Sequence, residues 1–147
     1  MGMFQMMSIS SSALAAERQR AEVTAANLAN AETTHTDAGG PYVRKQVTFS
    51  ATNSSPFQTV FNRIGGGAPA GSVKISDVSD DQAPAVMRYE PGNPDADKDG
   101  YVAYPAINPE TEMADMMSAV RSYQLNASAI SAAKQMIQES IDILKTT

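Results

Sequence analysis

The chain has 147 residues, with 16 acidic and 11 basic side chains, so its formal net charge at pH 7 is -5. This length allows one domain of moderate size and excludes a large multidomain enzyme. The acidic balance argues against nucleic acid as a partner, and the absence of cysteine excludes disulfides, thiolate metal ligands and a cysteine nucleophile.

The N-terminal residues do not have the pattern of a secretory signal. The first basic side chain is Arg18, and polar residues interrupt the apolar run before it can form a signal core. No segment approaches the roughly 20 apolar residues that cross a bilayer. We therefore expect no membrane insertion, and either a cytosolic location or export by a route that cleaves nothing.

Glycine and proline divide the chain into three parts. After Gly2, the other eight glycines and all eight prolines lie between Gly39 and Pro109, whereas helix-forming residues dominate both flanks. The sequence therefore predicts an α+β protein in which two terminal helices form an antiparallel, coiled-coil-like pair around a small β-containing middle. The predicted parts are an N-terminal helix in 1–38, an irregular middle in 39–108 and a long C-terminal helix in 109–147.

The N-terminal helix has two rows of mostly apolar residues with seven-residue spacing, which lie about 200° apart around the helix axis. Many positions between them are alanine, and small residues allow neighbours to approach closely. A single partner helix would leave one row uncovered. The rows are Met7, Leu14, Ala21 and Leu28, and Ile9, Ala16, Val23 and Asn30.

The middle part predicts short strands, because β-branched and aromatic residues cluster between turn-forming residues. The glycines at 65–67 predict a flexible linker or hairpin tip, since no Lys followed by Ser or Thr is present to make a phosphate-binding loop. The predicted strands are 43–49, 57–64, 73–78, 85–89 and 101–104.

One acidic turn resembles the start of a calcium-binding loop. Asp95, Asp97 and Asp99 alternate before Gly100, as in the first six positions of that loop. Position twelve is Ala106 instead of a bidentate glutamate, and prolines flank the loop. We interpret the segment as a solvated acidic turn, and a weakly calcium-responsive module remains the alternative.

The residues offer no recognisable catalytic or cofactor chemistry. His35 is the only histidine, so zinc lacks a second imidazole ligand, and no serine lies in a nucleophile turn. Low aromatic content and the lack of tryptophan argue against a deep pocket. We expect a non-enzyme without cofactor or bound metal.

The C-terminal segment gives the strongest periodic signal. Its start is marked by the potential cap Asn108, by Pro109 at the first helical position and by acidic residues in the first turns. A helix from 109 to 145 would be about 55 Å long. Two heptad rows run along it, interrupted by Lys134: Met113, Val120, Ala127, Lys134 and Ile141, and Met116, Tyr123, Ile130, Ile137 and Leu144.

The helices are expected to need partners. Burying a large apolar side chain contributes about 1.5–3 kcal/mol, while ordering each backbone residue costs about 1–2 kcal/mol. The alanine-rich N-terminal helix offers little burial, so full helical order is predicted to require neighbouring subunits. From periodicity alone, a helical hairpin within one chain is an equal alternative.

Several runs of residues resemble one family. The run from Ala26 to Ala31 (ANLANA) is similar to the signature of bacterial flagellar rod, hook and hook-associated proteins. The segments 41–49 (PYVRKQVTF), 100–102 (GYV) and 121–126 (RSYQLN) resemble the basal-body rod proteins within that family. The similarity extends from about Ser10 to the C-terminus.

The resemblance implies a structural subunit of the proximal rod, which transmits torque from the rotor to the hook. It implies paired terminal helices in an inner tube with the middle part outside. It further implies export by the flagellar type III apparatus without signal cleavage, and a final location in the periplasmic rod of the basal body. The implied partners are other rod proteins, copies of this chain, the export apparatus and an adaptor at the rotor ring.

Candidate interface residues follow from the heptad rows and the family signature. The resemblance implies that Asn27, Leu28 and Asn30 stabilise the helix exit and a contact between subunits; a plain C-terminal cap is the alternative. A coiled-coil adaptor or another flagellar axial component remains the alternative function. The candidate interface residues are Met7, Leu14, Ala21, Asn27, Leu28, Asn30, Met113, Met116, Val120, Tyr123, Ile130, Ile137, Ile141 and Leu144.

Overall fold

Two long helices flank four short strands in the parts of the chain that the structure describes. The structure is a computed structural model, and it describes residues 3–51 and 72–145. The α+β class and the long terminal helices are confirmed, whereas the predicted strand 57–64 and the glycines 65–67 lie outside the described residues. The elements are helix α1 (Met3–Ala29), strands β1 (Lys45–Ala51), β2 (Val73–Asp80), β3 (Val86–Tyr89) and β4 (Tyr101–Tyr104), and helix α2 (Pro109–Lys145).

At one end of each helix, an asparagine side chain forms hydrogen bonds with backbone groups that have no partner within the helix. At the start of α2, Oδ1 of Asn108 accepts hydrogen bonds from the amides of Glu110 (2.9 Å) and Thr111 (3.3 Å), so the predicted cap is confirmed. At the end of α1, the side-chain amide of Asn30 donates to the carbonyl oxygen of Ala26 at 2.9 Å. The predicted bounds of the C-terminal helix, 109–145, agree with α2.

The described strands form two sheets of two strands each, β1 with β2 and β3 with β4. The prediction for β4 was accurate, β3 begins one residue later than predicted, and β2 extends two residues further. The prediction for β1 was wrong by two residues at each end, because residues 43 and 44 precede the strand. In the β3–β4 hairpin the strands are antiparallel, with Val86 opposite Tyr104 and Tyr89 opposite Tyr101.

The chain forms two compact units, and each helix contributes to both. We call residues 20–48 and 77–118 the polar unit, and residues 1–19, 49–76 and 119–147 the alanine unit. In the polar unit, the described side chains with the least exposure are Val102, Asn27 and Glu112. In the alanine unit, the described buried side chains are Ala16, Ala119 and Ala133.

Helix α2 buries a different row from the one that its apolar periodicity indicates. The buried positions are Glu112, Ala119 and Ala133, which lie one residue before members of the predicted heptad row. Large members of that predicted row, including Met113 and Val120, are exposed. Alanine allows a closer approach of backbones than methionine or valine, which explains why the small residues face inward. Within residues 3–51 and 72–145, neither helix is long and apolar enough to span a membrane.

Candidate assembly surface

A network of buried polar groups joins the end of α1 to the start of α2 within the polar unit. Asn27 is only 1% exposed, and its side chain makes four hydrogen bonds. Its Oδ1 accepts from the Lys45 amide (2.9 Å) and the Tyr42 hydroxyl (3.1 Å). Its Nδ2 donates to the Lys45 carbonyl (2.8 Å) and to Oε2 of Glu112 (3.1 Å). All four hydrogen-bonding positions of this amide are therefore used.

Glu112 connects this network to the segment that immediately precedes β1. Its side chain is 2% exposed, and its Oε1 lies 2.7 Å from both Nε and Nη2 of Arg44. Nη1 of Arg44 also lies 3.4 Å from Oδ2 of Asp81, which accepts a 2.7 Å hydrogen bond from Gln46. A buried carboxylate is tolerated here because it is both paired and hydrogen-bonded.

The charges of this network shift the pKa values of its members. Burial alone would lower the pKa of Arg44, but the hydrogen bond and charge of Glu112, together with Asp81, raise it overall. The pKa of Asp81 is lowered, first by the hydrogen bond from Gln46. The pKa of Tyr42 is raised, mainly by burial and then by the nearby Asp80 and Glu112 carboxylates. Each shift favours the form that the group already has at neutral pH, which is charged for Arg44 and Asp81 and protonated for Tyr42.

A second ion pair shows that the helices are antiparallel in the polar unit. Nη2 of Arg20 lies 3.3 Å from Oδ1 of Asp115. Asn27 on α1 contacts Glu112 on α2, and Arg20, which lies earlier on α1, contacts Asp115, which lies later on α2. The two helices therefore run in opposite directions. Because both contacts require defined geometry, they fix the register of the two helices.

The predicted helix-exit residues have distinct surroundings. Asn30 caps α1, and its Oδ1 accepts a 3.2 Å hydrogen bond from Thr33. Leu28 is half-buried, while Asn27 contacts backbone groups of Lys45 rather than those of the helix end. The contribution of these three residues to a contact between subunits stays a prediction.

The heptad residues of α2 retain much of their surface within one chain. Ile130 and Ile137 are half-buried, as is Met116, whereas the other predicted large members are exposed. On α1, Met7, Leu14 and Ala21 are also half-buried. Their role in contacts between subunits stays a prediction. The exposed predicted members are Met113, Val120, Tyr123, Ile141 and Leu144.

The largest apolar exposures in the alanine unit include residues outside the predicted rows. Leu125 is 66% exposed, Ile143 is 67% exposed and Leu144 is 79% exposed. Phe4 on α1 is also largely exposed. Isolated exposed apolar side chains are ordinary, but several large ones along one helix indicate a surface for protein contacts. We call the exposed apolar side chains of α2 in the alanine unit the assembly surface, which covers two sides of the helix: Val120, Tyr123 and Ile141 on one side, Leu125, Met136 and Ile143 on another, and Leu144 between them.

The acidic turn uses several of its carboxylates to fold the hairpin loop. Oδ1 of Asp97 accepts from the amides of Asp99 and Tyr101, both at 2.9 Å, and Oδ2 of Asp95 accepts from the Thr34 hydroxyl at 2.6 Å. Gly100 adopts a φ of +81°, and an added Cβ would lie 2.9 Å from Cε2 of Tyr89. Within residues 3–51 and 72–145, no group of three or more His, Asp or Glu side chains is arranged to hold a metal ion. His35 is exposed.

Sequence reasoning missed the ion pair of Arg44 with Glu112. The acidic residues in the first turns of α2 predict only a favourable charge near the start of the helix, and Arg44 lies 68 residues from Glu112 in the chain. The exposed Leu125 and Ile143 were also missed, because they lie off the heptad rows. Their hydrophobicity was visible in the sequence, but their exposure depends on which face of α2 the alanines occupy.

Comparison with known proteins identifies the class. Residues 7–34, which lie mostly on α1, match the family described as "Flagella basal body rod protein". Residues 98–143, which include β4 and most of α2, match "Flagellar basal body rod FlgEFG protein C-terminal". The two terminal helices therefore carry the features of flagellar rod proteins.

Curated relatives narrow the class over nearly the whole chain. The flagellar basal-body rod protein FlgC of Escherichia coli O6:H1 is 41% identical over 143 residues, covering 97% of this chain and 98% of the relative. FlgC of Bacillus subtilis is 37% identical, with the same coverage of each chain. FlgC of Borreliella burgdorferi is 34% identical and covers 99% of both chains. The chain belongs to the FlgC family of flagellar basal-body rod proteins.

Proposed function

We propose that this protein is a structural subunit of the flagellar rod and transmits torque along it, without catalysing a reaction. The observation that carries the proposal is the assembly surface, because α2 leaves large apolar side chains such as Leu125 and Ile143 in water in a single chain. Family membership gives this surface its context, since the relatives are rod proteins along their whole length. Neighbouring rod subunits would cover it.

Torque transmission would follow from close packing between staggered helices. Apolar side chains packed between subunits resist compression, and many contacts in parallel share the load. In the polar unit, the paired Glu112 and Arg44 hold the end of α1, the start of α2 and the chain before β1 in one arrangement. A rigid connection of this kind would pass force between the helices and the β-containing part.

The proposal extends to location and partners. The subunit would be exported by the flagellar type III apparatus without signal cleavage and would reach the periplasmic part of the basal body. Its partners would be other rod proteins, copies of itself and an adaptor at the rotor ring. Residues 1–38 and 109–147 would form the inner tube and residues 39–108 its outer part.

The test is complementation of a bacterium that lacks its own FlgC-family protein. The unmodified chain is expected to restore swimming and complete basal bodies seen by electron microscopy. Leu125→Asp should reduce the number of basal bodies strongly while export continues, because it places a charge in a dry contact. Ile130→Asp and Ile137→Asp are expected to abolish assembly too. Ser128→Asp, an exposed polar position on the same helix, is the control for added charge.

The readouts separate assembly from folding and export. Export is measured as the amount of chain outside the cytoplasm, and folding as the helical circular dichroism of the purified variant. Normal basal bodies containing Leu125→Asp would refute the assembly surface. Failure of the unmodified chain to enter any basal body would refute the function itself.

A further inference from the structure

The β3–β4 hairpin presents an uncovered sheet face beside an acidic loop. Side chains alternate across a strand, and Tyr89 lies opposite Tyr101, so Met87, Tyr89 and Tyr101 share one face of the hairpin. All three are exposed, whereas Val102 on the other face is buried. The ring centroids of Tyr89 and Tyr101 lie 5.3 Å apart in an edge-to-face arrangement, with the ring planes at 62°. We call Met87, Tyr89 and Tyr101 the hairpin face.

The loop that joins the two strands adds negative charge at the end of this face. Asp95, Asp97 and Asp99 are exposed, with Lys98 as the one basic side chain among them. Asp95 and Asp97 accept hydrogen bonds within the fold, as described above. Asp99 lies two residues before Tyr101, where the loop leads into β4, and its side chain is exposed.

Charge is segregated between the two units of the chain. The polar unit contains 13 acidic and 5 basic side chains, a net charge of -8, and the alanine unit contains 3 acidic and 6 basic side chains, a net charge of +3. These counts account for all 16 acidic and 11 basic residues. The polar unit of one molecule and the alanine unit of another are therefore electrostatically complementary.

Helix α2 offers a matching combination in the alanine unit. Lys134 interrupts an otherwise apolar heptad row and is exposed, and Ile141 follows on the same side of the helix and is also exposed. Seven residues of helix separate these two side chains by about 10 Å. A lysine followed by an apolar side chain complements, in charge and apolar character, an acidic loop beside a pair of aromatic rings. Asp142 is adjacent to Ile141, and Lys145 lies one turn further along the same side.

We infer that the hairpin face and Asp99 of one subunit bind Lys134 and Ile141 of a second copy of this chain. The inference rests on the proposed function and names the partner for part of its surface. The two surfaces in contact are different, so the interaction is heterologous and can repeat from copy to copy without closing into a two-fold dimer. An unclosed repeat of this kind is what a helical rod requires. It also assigns a role to Lys134, which the apolar pattern does not explain.

The first experiment uses the absence of native cysteine. Two forms of the full chain, Asp99→Cys and Lys134→Cys, carry tags of different length and are expressed together in the strain described above. Purified basal bodies are then treated with a short bismaleimide, because the Cα atoms of a lysine–aspartate ion pair can lie further apart than the about 7 Å that a disulfide bridges. A crosslink between the two forms is expected at about ten times the yield of either homodimer. Asp77→Cys with Lys134→Cys is the control pair, since Asp77 is an exposed acid of β2.

The second experiment reverses the charges. Asp99→Lys and Lys134→Glu should each lower the number of complete basal bodies about tenfold, because each places like charges together. The two changes combined should restore most of the loss, whereas Asp77→Lys should have little effect. An unchanged far-ultraviolet circular dichroism spectrum of the double variant would show that the two changes do not unfold the chain.

The outcomes separate this inference from the proposed function. If the unmodified chain enters basal bodies but the crosslinked pair does not exceed the control, the inference is overturned and the function stands. Crosslinking only to a protein of another mass would overturn the second copy as partner. If the chain is absent from basal bodies, both proposals fail.

Discussion

In the polar unit, α1 and α2 meet through Asn27, Glu112, Arg20 and Asp115, whereas the described buried helical side chains of the alanine unit are alanines. Hydrogen bonds and ion pairs depend steeply on distance and angle, so the polar contacts select one register. Alanine packing allows close approach but contributes little burial energy for each residue.

This difference indicates which unit is complete within one chain and which unit leaves surface for neighbouring subunits. The polar unit completes its network within one chain, because each buried polar group described there has its partner. The alanine unit keeps Leu125, Ile143 and Leu144 exposed, so much of its apolar surface is left for neighbours. We expect a single molecule in solution to be well ordered in the polar unit and to gain order in the alanine unit on assembly.

The largest predicted effect is the loss of the buried carboxylate of Glu112. Glu112→Ala should lower the free energy of unfolding by about 4 kcal/mol, because it removes the shorter ion pair of Arg44 and one of the four hydrogen bonds of buried Asn27. Glu110→Ala, an exposed acid in the same turn, should change it by less than about 0.5 kcal/mol. Urea unfolding followed by circular dichroism measures both. Similar losses in the two variants would mean that the polar network does not hold the unit together.

Overpacking the buried alanine row of α2 should have the next largest effect. Ala119 is fully buried, so Ala119→Leu should lower the free energy of unfolding by about 3 kcal/mol as the larger side chain forces neighbours apart. Ala129→Leu, at an exposed position of the same helix, is the matched control and should be close to neutral. Amide hydrogen exchange of α2 peptides would locate the change. If Ala119→Leu leaves the free energy of unfolding unchanged, this row is loosely packed.

Local signals explain which parts of the fold the sequence could predict. The cap at Asn108, the glycine-free helices and β4 all depend on neighbouring residues, and these predictions are confirmed. The buried row of α2 depends on how closely another segment approaches the helix. The apolar periodicity instead predicted the row of larger side chains, which lies one position later in the chain. The pairing of Arg44 with Glu112 joins residues far apart in the chain, and no spacing rule links them.

A smaller effect is expected from Gly100 in the hairpin loop. Gly100→Ala should lower the free energy of unfolding by about 2 kcal/mol, because its φ is +81° and the new Cβ would crowd Tyr89 and Pro91. Gly92→Ala has no atom within 4 Å of the added Cβ and should be nearly neutral. Urea unfolding followed by circular dichroism measures the free energy of unfolding of both variants. Equal stability of the two variants would contradict this strained position.

The smallest predicted effect is a pH dependence of the hairpin. Hydrogen bonds from Asn93 (3.2 Å) and the Tyr104 hydroxyl (2.9 Å), with the nearby Arg88, lower the pKa of Glu90 below its ordinary value of 4.5. Since the folded pKa is the lower one, the stabilisation is fully present above pH 4.5 and is lost as the pH falls through the folded value.

The Glu90→Gln variant tests this sign. The difference in the free energy of unfolding between the unmodified chain and Glu90→Gln should be constant near neutral pH and should shrink below pH 4.5. Tyr104→Phe removes one of the same hydrogen bonds and should also flatten the acid dependence. A difference that grows toward low pH would mean that the protonated form of Glu90 is the one held by Asn93 and Tyr104.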